Sequence, residues 1–398
     1  MRPPLRKIIL LALLVTILAA VSLAIIRYNR TDAFVYVCGL WGIACLVAMR
    51  WLDGVLKIAA WNIAIVAIII GVVEAWLAGW ISKGDPNLVN FSLEPHFIVA
   101  DPILGYRPSK NGEAIAKKVY GDETLYEVRY TINAWGQRAG PESSATASNS
   151  ALLFGGSFTF GEGVHDHETL PWRFDERTGE NTRAINLGLF GYGPHQMLAM
   201  LENQLEAEAV EGTQPVAAIY HCIPNHVARS AGAVFWDTSG PHYVLDFDGS
   251  LKHDGPFRGF VAGNMLRILS RSQIAKKILR PSNSAFSEEN VKRLAAIVES
   301  SQNILRERYG IDLLVLLWYN EPENLSRQIV EHLGARDVEV LRVDAIIPDI
   351  NGNDEKYLIA PPIEGHPNGV TNDLLAAGLV EHLGLAPADS EGAGEKPK

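Results

Sequence analysis

Three apolar runs crowd the first 82 residues, and a chain that begins this way has few folds open to it. Residues 8–26 (IILLALLVTILAAVSLAII) carry no charge and, wound as a helix, match the thickness of a bilayer core. Residues 33–49 form a second run at the short end of the spanning range, and residues 58–82 form a third, interrupted only by Glu74. A cleaved signal peptide is the rival reading of the first run, since Arg2, Arg6 and Lys7 resemble its basic end. Against it, the run is long, no small-x-small cleavage site follows, and two more apolar runs come directly after. The sequence therefore predicts a membrane anchor of three spanning helices over residues 1–82.

Orientation follows from Lys and Arg in the short loops. Arg2, Arg6 and Lys7 precede the first run, and Arg50 and Lys57 lie between the second and third. Arg27 and Arg30 are partly balanced by Asp32, and Lys83 is followed closely by Asp85. This bias puts the N-terminus in the cytoplasm, and three crossings put the rest of the chain outside it. Glu74 stands near Trp76 and Trp80, which reads as a carboxylate at the outer interface or facing neighbouring helices. An intramembrane carboxylate with a function is the other reading.

The net charge of −10, with no dense basic run after residue 82, argues against nucleic acid as a partner. Three cysteines, two of them (Cys38 and Cys45) in an apolar run, build neither a disulfide framework nor a Cys-rich metal site.

Residues 83–150 read as short strands and turns, a β-rich juxtamembrane segment ending in the small-residue stretch ESSATASNS. From 151 to 386 the texture changes. Apolar strands (151–154, 184–189, 216–222, 312–319, 338–343) alternate with helical stretches (168–179, 194–210, 287–308, 322–334, 370–383). Such alternation predicts an α/β domain, a parallel sheet covered by helices on both faces. Residues 387–398 are polar and read as a disordered tail.

Candidate chemistry gathers where strands end, as it does in parallel sheets. In LLFGGSFTFGEGV (152–164) a serine follows an apolar strand between glycines, so that Ser157 could project its hydroxyl above the sheet edge. Taken alone, Gly-Gly-Ser is a common turn, and the Gly-x-Ser-x-Gly elbow is absent because Thr159 stands where its last glycine would be. NLGLFGYGPHQ (186–196) offers irregular backbone before a helix, where the N–H of Gly191 could meet an oxyanion. IPNHV (223–227) ends another strand, with Asn225 as a side-chain donor and His221 and His226 as further candidates. IEGHPNGV (363–370) opens the last helix, where His366 could take a proton from Ser157 and Glu364 could orient the imidazole. Each piece alone is unremarkable; the four in this order, each at a strand end or before a helix, are not.

Together they resemble the blocks of the SGNH (GDSL-like) hydrolase superfamily over roughly residues 150–385. The resemblance makes Ser157 the nucleophile and an oxyanion donor through its own N–H. Gly191 and Asn225 become the other donors, His366 the base and Glu364 the acid. It departs at Gly156, where the family usually has Asp, and at Pro224, where many members have glycine. It departs again where the acid is expected three residues before the histidine, a place held by Ile363. Glu364, two before, is similar to an Asp-x-His variant of the polysaccharide O-acetylating branch. Residues 101–138 are similar to the leader of SGNH domains in membrane-linked proteins of envelope polysaccharide biosynthesis. The resemblance implies a multi-pass protein of a bacterial inner membrane whose catalytic domain is extracytoplasmic. Its substrate would be an acylated small molecule or glycan carrying an O-acetyl ester, handled without metal or organic cofactor. Water as acceptor makes an esterase and a sugar hydroxyl makes an O-acyltransferase; a non-catalytic glycan-binding or assembly module is the reading from another class.

Overall fold

The computed structural model describes residues 3–28, 33–78, 89–142, 146–246, 249–258, 265, 268–269, 272–278, 283–319 and 323–385. Arg30, Asp32, Lys83, Asp85 and the tail expected at 387–398 lie outside the described residues. The chain forms two compact units, one of residues 1–88 with 261–280, the other of residues 89–260 with 281–398. The boundary expected near residue 150 falls inside the second unit.

In the first unit three helices follow one another: α1 (Pro3–Tyr28), α2 (Ala33–Ala48) and α3 (Gly54–Leu77). The expectation of three spans is corrected here. Only α3 is long and apolar enough to cross a membrane among the described residues, while Leu11–Ile26 and Ala33–Ala48 are shorter apolar helices. The 16 residues of α2 reach about 24 Å at 1.5 Å per residue, short of the ~30 Å hydrocarbon core. Much of α3 presents apolar side chains to the outside, Val55, Ile58, Ile69 and Trp76 among them. Small residues bring α2 and α3 close: a Cβ on Gly42 would lie 3.5 Å from Ile68, and one on Gly71 would lie 3.1 Å from Cys38.

Glu74 is buried. Its partners come from far along the chain, at the start of a short helix, Gln273–Ile278. Ser272 Oγ donates to Glu74 Oε1, and the backbone N–H of Gln273 donates to Oε2 at 2.8 Å. The carboxylate thus takes up N–H groups that a helix start leaves without acceptors.

The second unit is built on a five-stranded parallel sheet of β6 (Asn149–Gly155), β7 (Thr182–Gly188), β8 (Gln214–Cys222), β11 (Leu313–Leu317) and β12 (Glu339–Arg342), in the order β12-β11-β8-β6-β7. Alternate side chains of each strand point to opposite faces, so both faces must be apolar. Leu152 and Phe154 enter one core with Met197 and Leu201 of helix Pro194–Glu202 and Leu294 and Val298 of helix Glu288–Tyr309. Ala151 and Leu153 enter the other with Phe174 of helix Leu170–Thr178 and Leu375 and Leu379 of helix Gly369–His382.

The β-rich segment is part of this unit. It forms an antiparallel sheet of β1 (Val89–Glu94), β4 (Glu113–Tyr120) and β5 (Glu123–Thr131), with a smaller pair, β2 (Ile98–Asp101) and β3 (Gly105–Pro108). Tyr126, Val128 and Tyr130 from β5 join Phe160 and Leu187 in the first core. Two hairpins complete the unit: β9 (Pro241–Leu245) with β10 (Leu251–Pro256), and β13 (Leu358–Ala360) with β14 (Glu364–Pro367).

Candidate active site

Because all five strands run the same way, their C-terminal ends share one sheet edge, and the loops from that edge converge. β6 ends at Gly155 and the chain turns at Gly156 into a one-turn helix, Ser157–Phe160. Gly155 has φ +153°, and a Cβ there would lie 2.2 Å from Thr159 Oγ1, so the turn needs glycine. A cavity of about 450 Å³ opens at this edge, and Ser157, Asn225, Glu364 and His366 all line it.

Ser157 Oγ lies 2.8 Å from His366 Nε2, although the two residues are 209 positions apart. The other ring nitrogen, Nδ1, is hydrogen-bonded to Glu364 Oε1, and the backbone N–H of His366 donates to the same oxygen at 3.0 Å. The i, i+2 spacing of acid and base follows from β14: alternate residues of a strand share a face. Ile363, at the position three before the histidine, is a cavity-wall residue with no acid to offer. Asn368 then caps the last helix, its side chain accepting from Thr371 N at 3.0 Å, which fixes where the hairpin ends.

Lys118 and Glu162 complete the constellation, and sequence reasoning assigned neither of them a role. Lys118 of β4 donates to Glu364 Oε2 and lies 3.4 Å from Glu162 Oε1. Glu162 Oε2 in turn lies 3.4 Å from His366 Nε2, and its Oε1 accepts from Tyr126 at 3.2 Å. Burial pushes the Glu364 carboxyl up, but the hydrogen bonds and charges of His366 and Lys118 outweigh it and hold the group at about 2. Burial likewise works against the Lys118 ammonium, and Glu162 and Glu364 more than reverse this, so it titrates above an ordinary lysine. The GEGV run after the serine was a visible sign of Glu162; nothing in the strand sequence EAIAKKVY pointed to Lys118.

Glu162, Glu364 and His366 bring ligand-type atoms within 4.8 Å of one another, a donor set that could hold a metal ion. Lys118 already supplies a cation to both carboxylates, and a metal on His366 Nε2 would compete with Ser157 for the same lone pair.

Strand β5 and the segment that follows it hold the loop after the serine. Arg138, fully buried, donates to Phe160 O at 3.0 Å, Val164 O at 2.6 Å and Gly161 O, and pairs with Asp166 at 2.8 Å. Tyr130 OH accepts from Gly163 N at 2.9 Å. Phe158 stands edge-on to Trp318, with ring centres 5.1 Å apart, and its own ring is 5.2 Å from His366.

The remaining expected residues fall differently. Asn225 starts helix His226–Ser230 at the cavity wall. Gly191, with φ +76°, is not among the lining residues; its loop reaches the Ser157 turn through Tyr192, whose carbonyl would lie 3.1 Å from a Cβ on Gly156. His221 and His226 are both buried away from the cavity. Burial lowers His221 to about 3. Burial and the Arg229 charge hold His226 well below the usual imidazole range, and its Nδ1 is bound to Tyr220 OH at 2.5 Å. Neither fits a proton carrier near neutral pH.

Neither a protein-family model nor a curated protein matches the sequence. Among solved structures the chain is similar to a carbohydrate acetylesterase from Sinorhizobium meliloti, at 12% identity and TM-score 0.31, over 59% of this chain and 98% of that one. It is similar to a gut microbial diltiazem-metabolizing enzyme at 11% identity and TM-score 0.34, over 62% of this chain and 49% of that one. A carbohydrate esterase described as having divergent catalytic and non-catalytic binding functions gives 10% identity and TM-score 0.31, over 76% and 99%. At these values the likeness defines no family for the chain.

Proposed function

We propose that the chain is a serine-dependent ester hydrolase of SGNH type, acting on an acyl ester such as an O-acetyl group of a glycan. The observation that carries this is the hydrogen-bonded line Ser157–His366–Glu364 at the wall of an open cavity. In the reaction so read, Ser157 Oγ attacks the ester carbonyl while His366 Nε2 takes its proton. Glu364, held as a carboxylate, balances the imidazolium that results. The Ser157 N–H, at the first turn of its helix, and the Asn225 side chain are the proposed oxyanion donors; Gly191, expected as the third, does not line the cavity. As the carbonyl re-forms, the alkoxide leaves with the proton from His366, and the acyl group stays on Ser157. Water, activated by the same imidazole, then releases the acid; a sugar hydroxyl in its place makes the chain an O-acyltransferase. Trp318 and Phe158 give the cavity an apolar wall of the sort a sugar ring can lie against.

The exposed apolar surface of α3 supports anchoring in a membrane. If α3 crosses once with Arg50 and Lys57 at its cytoplasmic end, the basic residues favour an extracytoplasmic catalytic unit.

The test is labelling of the purified chain with a fluorophosphonate serine probe, with product analysis on acetylated glycans. Labelling of the wild type and not of Ser157→Ala is the expected result. Equal labelling of both, or none of folded wild type alongside no ester turnover, would overturn the proposal.

A further inference from the structure

We infer that Arg229 is the positive charge behind the oxyanion hole, and that residue 156 is glycine because the Arg229 guanidinium occupies the space a side chain would need. This rests on the serine-esterase reading and deepens it. Arg229 sits one turn after Asn225 on helix His226–Ser230, on the same helix face, and lines the same cavity as Ser157. It is 9% exposed, yet its only hydrogen-bond acceptor among the described residues is Tyr192 O, at 2.7 Å. No carboxylate among them lies within ion-pair distance. The contrast with the other cations nearby is plain: Arg138 is paired with Asp166, and Lys118 with Glu162 and Glu364. Asp237 and Glu162 act on its charge only from beyond contact distance, and a buried guanidinium with no carboxylate against it is costly to keep, so its place in the cavity needs a reason.

Gly156 supplies one. A Cβ on this residue would lie 2.6 Å from Arg229 Nη1, inside any real contact distance, and 3.1 Å from His226 Nε2. The guanidinium therefore rests against the backbone that leads into Ser157 N–H. An aspartate here, as the SGNH resemblance expects, would thrust a carboxylate onto the guanidinium and cancel its charge. Glycine lets the arginine in and leaves its guanidinium without a carboxylate in contact until the carbonyl oxygen becomes negative. Through Tyr192 O the same side chain pins the loop carrying Gly191 to the serine turn. Arg229 is thus a positioning residue, acting on the reacting oxygen through space and through the loop it holds.

The experiment compares Arg229→Met and Arg229→Lys with wild type, as full chains in detergent. It measures kcat and KM for 4-nitrophenyl acetate, a neutral ester, and for mono-4-nitrophenyl succinate, an anionic one, with thermal midpoints alongside. Arg229→Met should lower kcat on both esters by about 10- to 100-fold, less than the roughly 100- to 1000-fold for loss of a direct oxyanion donor because Arg229 acts through space, with KM nearly unchanged. Arg229→Lys should recover part of the loss. An unchanged kcat on the neutral ester overturns the inference, and so does a loss confined to the anionic ester and seen in KM, which would make Arg229 a carboxylate subsite. Should Arg229→Met fail to fold, Gly156→Ala decides: it displaces the guanidinium without removing it, and an unaltered kcat there refutes the coupling. Wild type that neither labels nor hydrolyses any ester sinks the esterase reading itself.

Discussion

Replacing Glu364 by glutamine keeps the shape of the side chain and removes its charge. In the folded chain this carboxyl is held at about 2 against an ordinary 4.5, burial opposing and His366 and Lys118 prevailing. At ~1.36 kcal/mol per pKa unit, the site favours carboxylate over acid by about 3 kcal/mol. In the proposed reaction His366 becomes fully charged only in the transition state, and its share of this lowering, the rest being that of Lys118, is worth a factor of roughly 10 to 100 in rate. A glutamine can also turn its NH2 toward Nδ1, which would move the ring proton to Nε2 and leave no lone pair for the Ser157 proton. Together these give an expected fall in kcat of about 100- to 10,000-fold, the upper end being the scale seen when a triad acid is made an amide. The assay is kcat and KM on 4-nitrophenyl acetate, with the fluorophosphonate labelling rate and the thermal midpoint. A kcat within about threefold of wild type, in a folded variant, would refute the assignment of Glu364 as the acid. Attention would then turn to Glu162, 3.4 Å from the other ring nitrogen.

Two further outcomes test the parts around this line. A carboxyl with a depressed pKa stabilises the fold fully above its unfolded value near 4.5 and loses that contribution as the pH falls toward about 2. Lys118→Met should therefore lower the thermal midpoint more at pH 7 than at pH 2.5, where part of the contribution is already lost; equal drops at both would show that Lys118 acts by packing. Arg138→Met strips Asp166 and three loop carbonyls of their buried donor, and should cost about 3–5 kcal/mol in chemical denaturation and slow labelling of Ser157. A loss under about 1 kcal/mol would mean that water replaces it.

The central strands were legible because a strand buried on both faces must be an unbroken apolar run, as ALLF and DLLVLLWY are. The candidate site was legible where a residue stands at the end of such a run, as Ser157 and Asn225 do, or just before a helix, as His366 does. What stayed hidden depends on contacts across long stretches of chain. Lys118 reaches Glu364 over 246 positions, and no local pattern marks that one lysine of a surface-like strand. The hairpin Pro241–Pro256 was missed because its second strand, LKHDGP, is polar and mostly exposed. Three spans were expected from hydropathy alone, and the second run, already at the short end of the range, forms a helix of only 16 residues.

The return of residues 261–280 to the first unit has a practical edge for anyone wishing to detach the second unit from the first. A cut before Val89 looks like the natural place to release a soluble half, since the apolar helices lie upstream. Such a piece would still carry Ser272 and the helix Gln273–Ile278, whose start is capped by Glu74 on the discarded side. The capped N–H groups would lose their acceptor, and the apolar surface laid against α3 would meet water. The severable half is instead defined by two edits, removal of residues 1–88 and excision of 261–280 with the flanks rejoined.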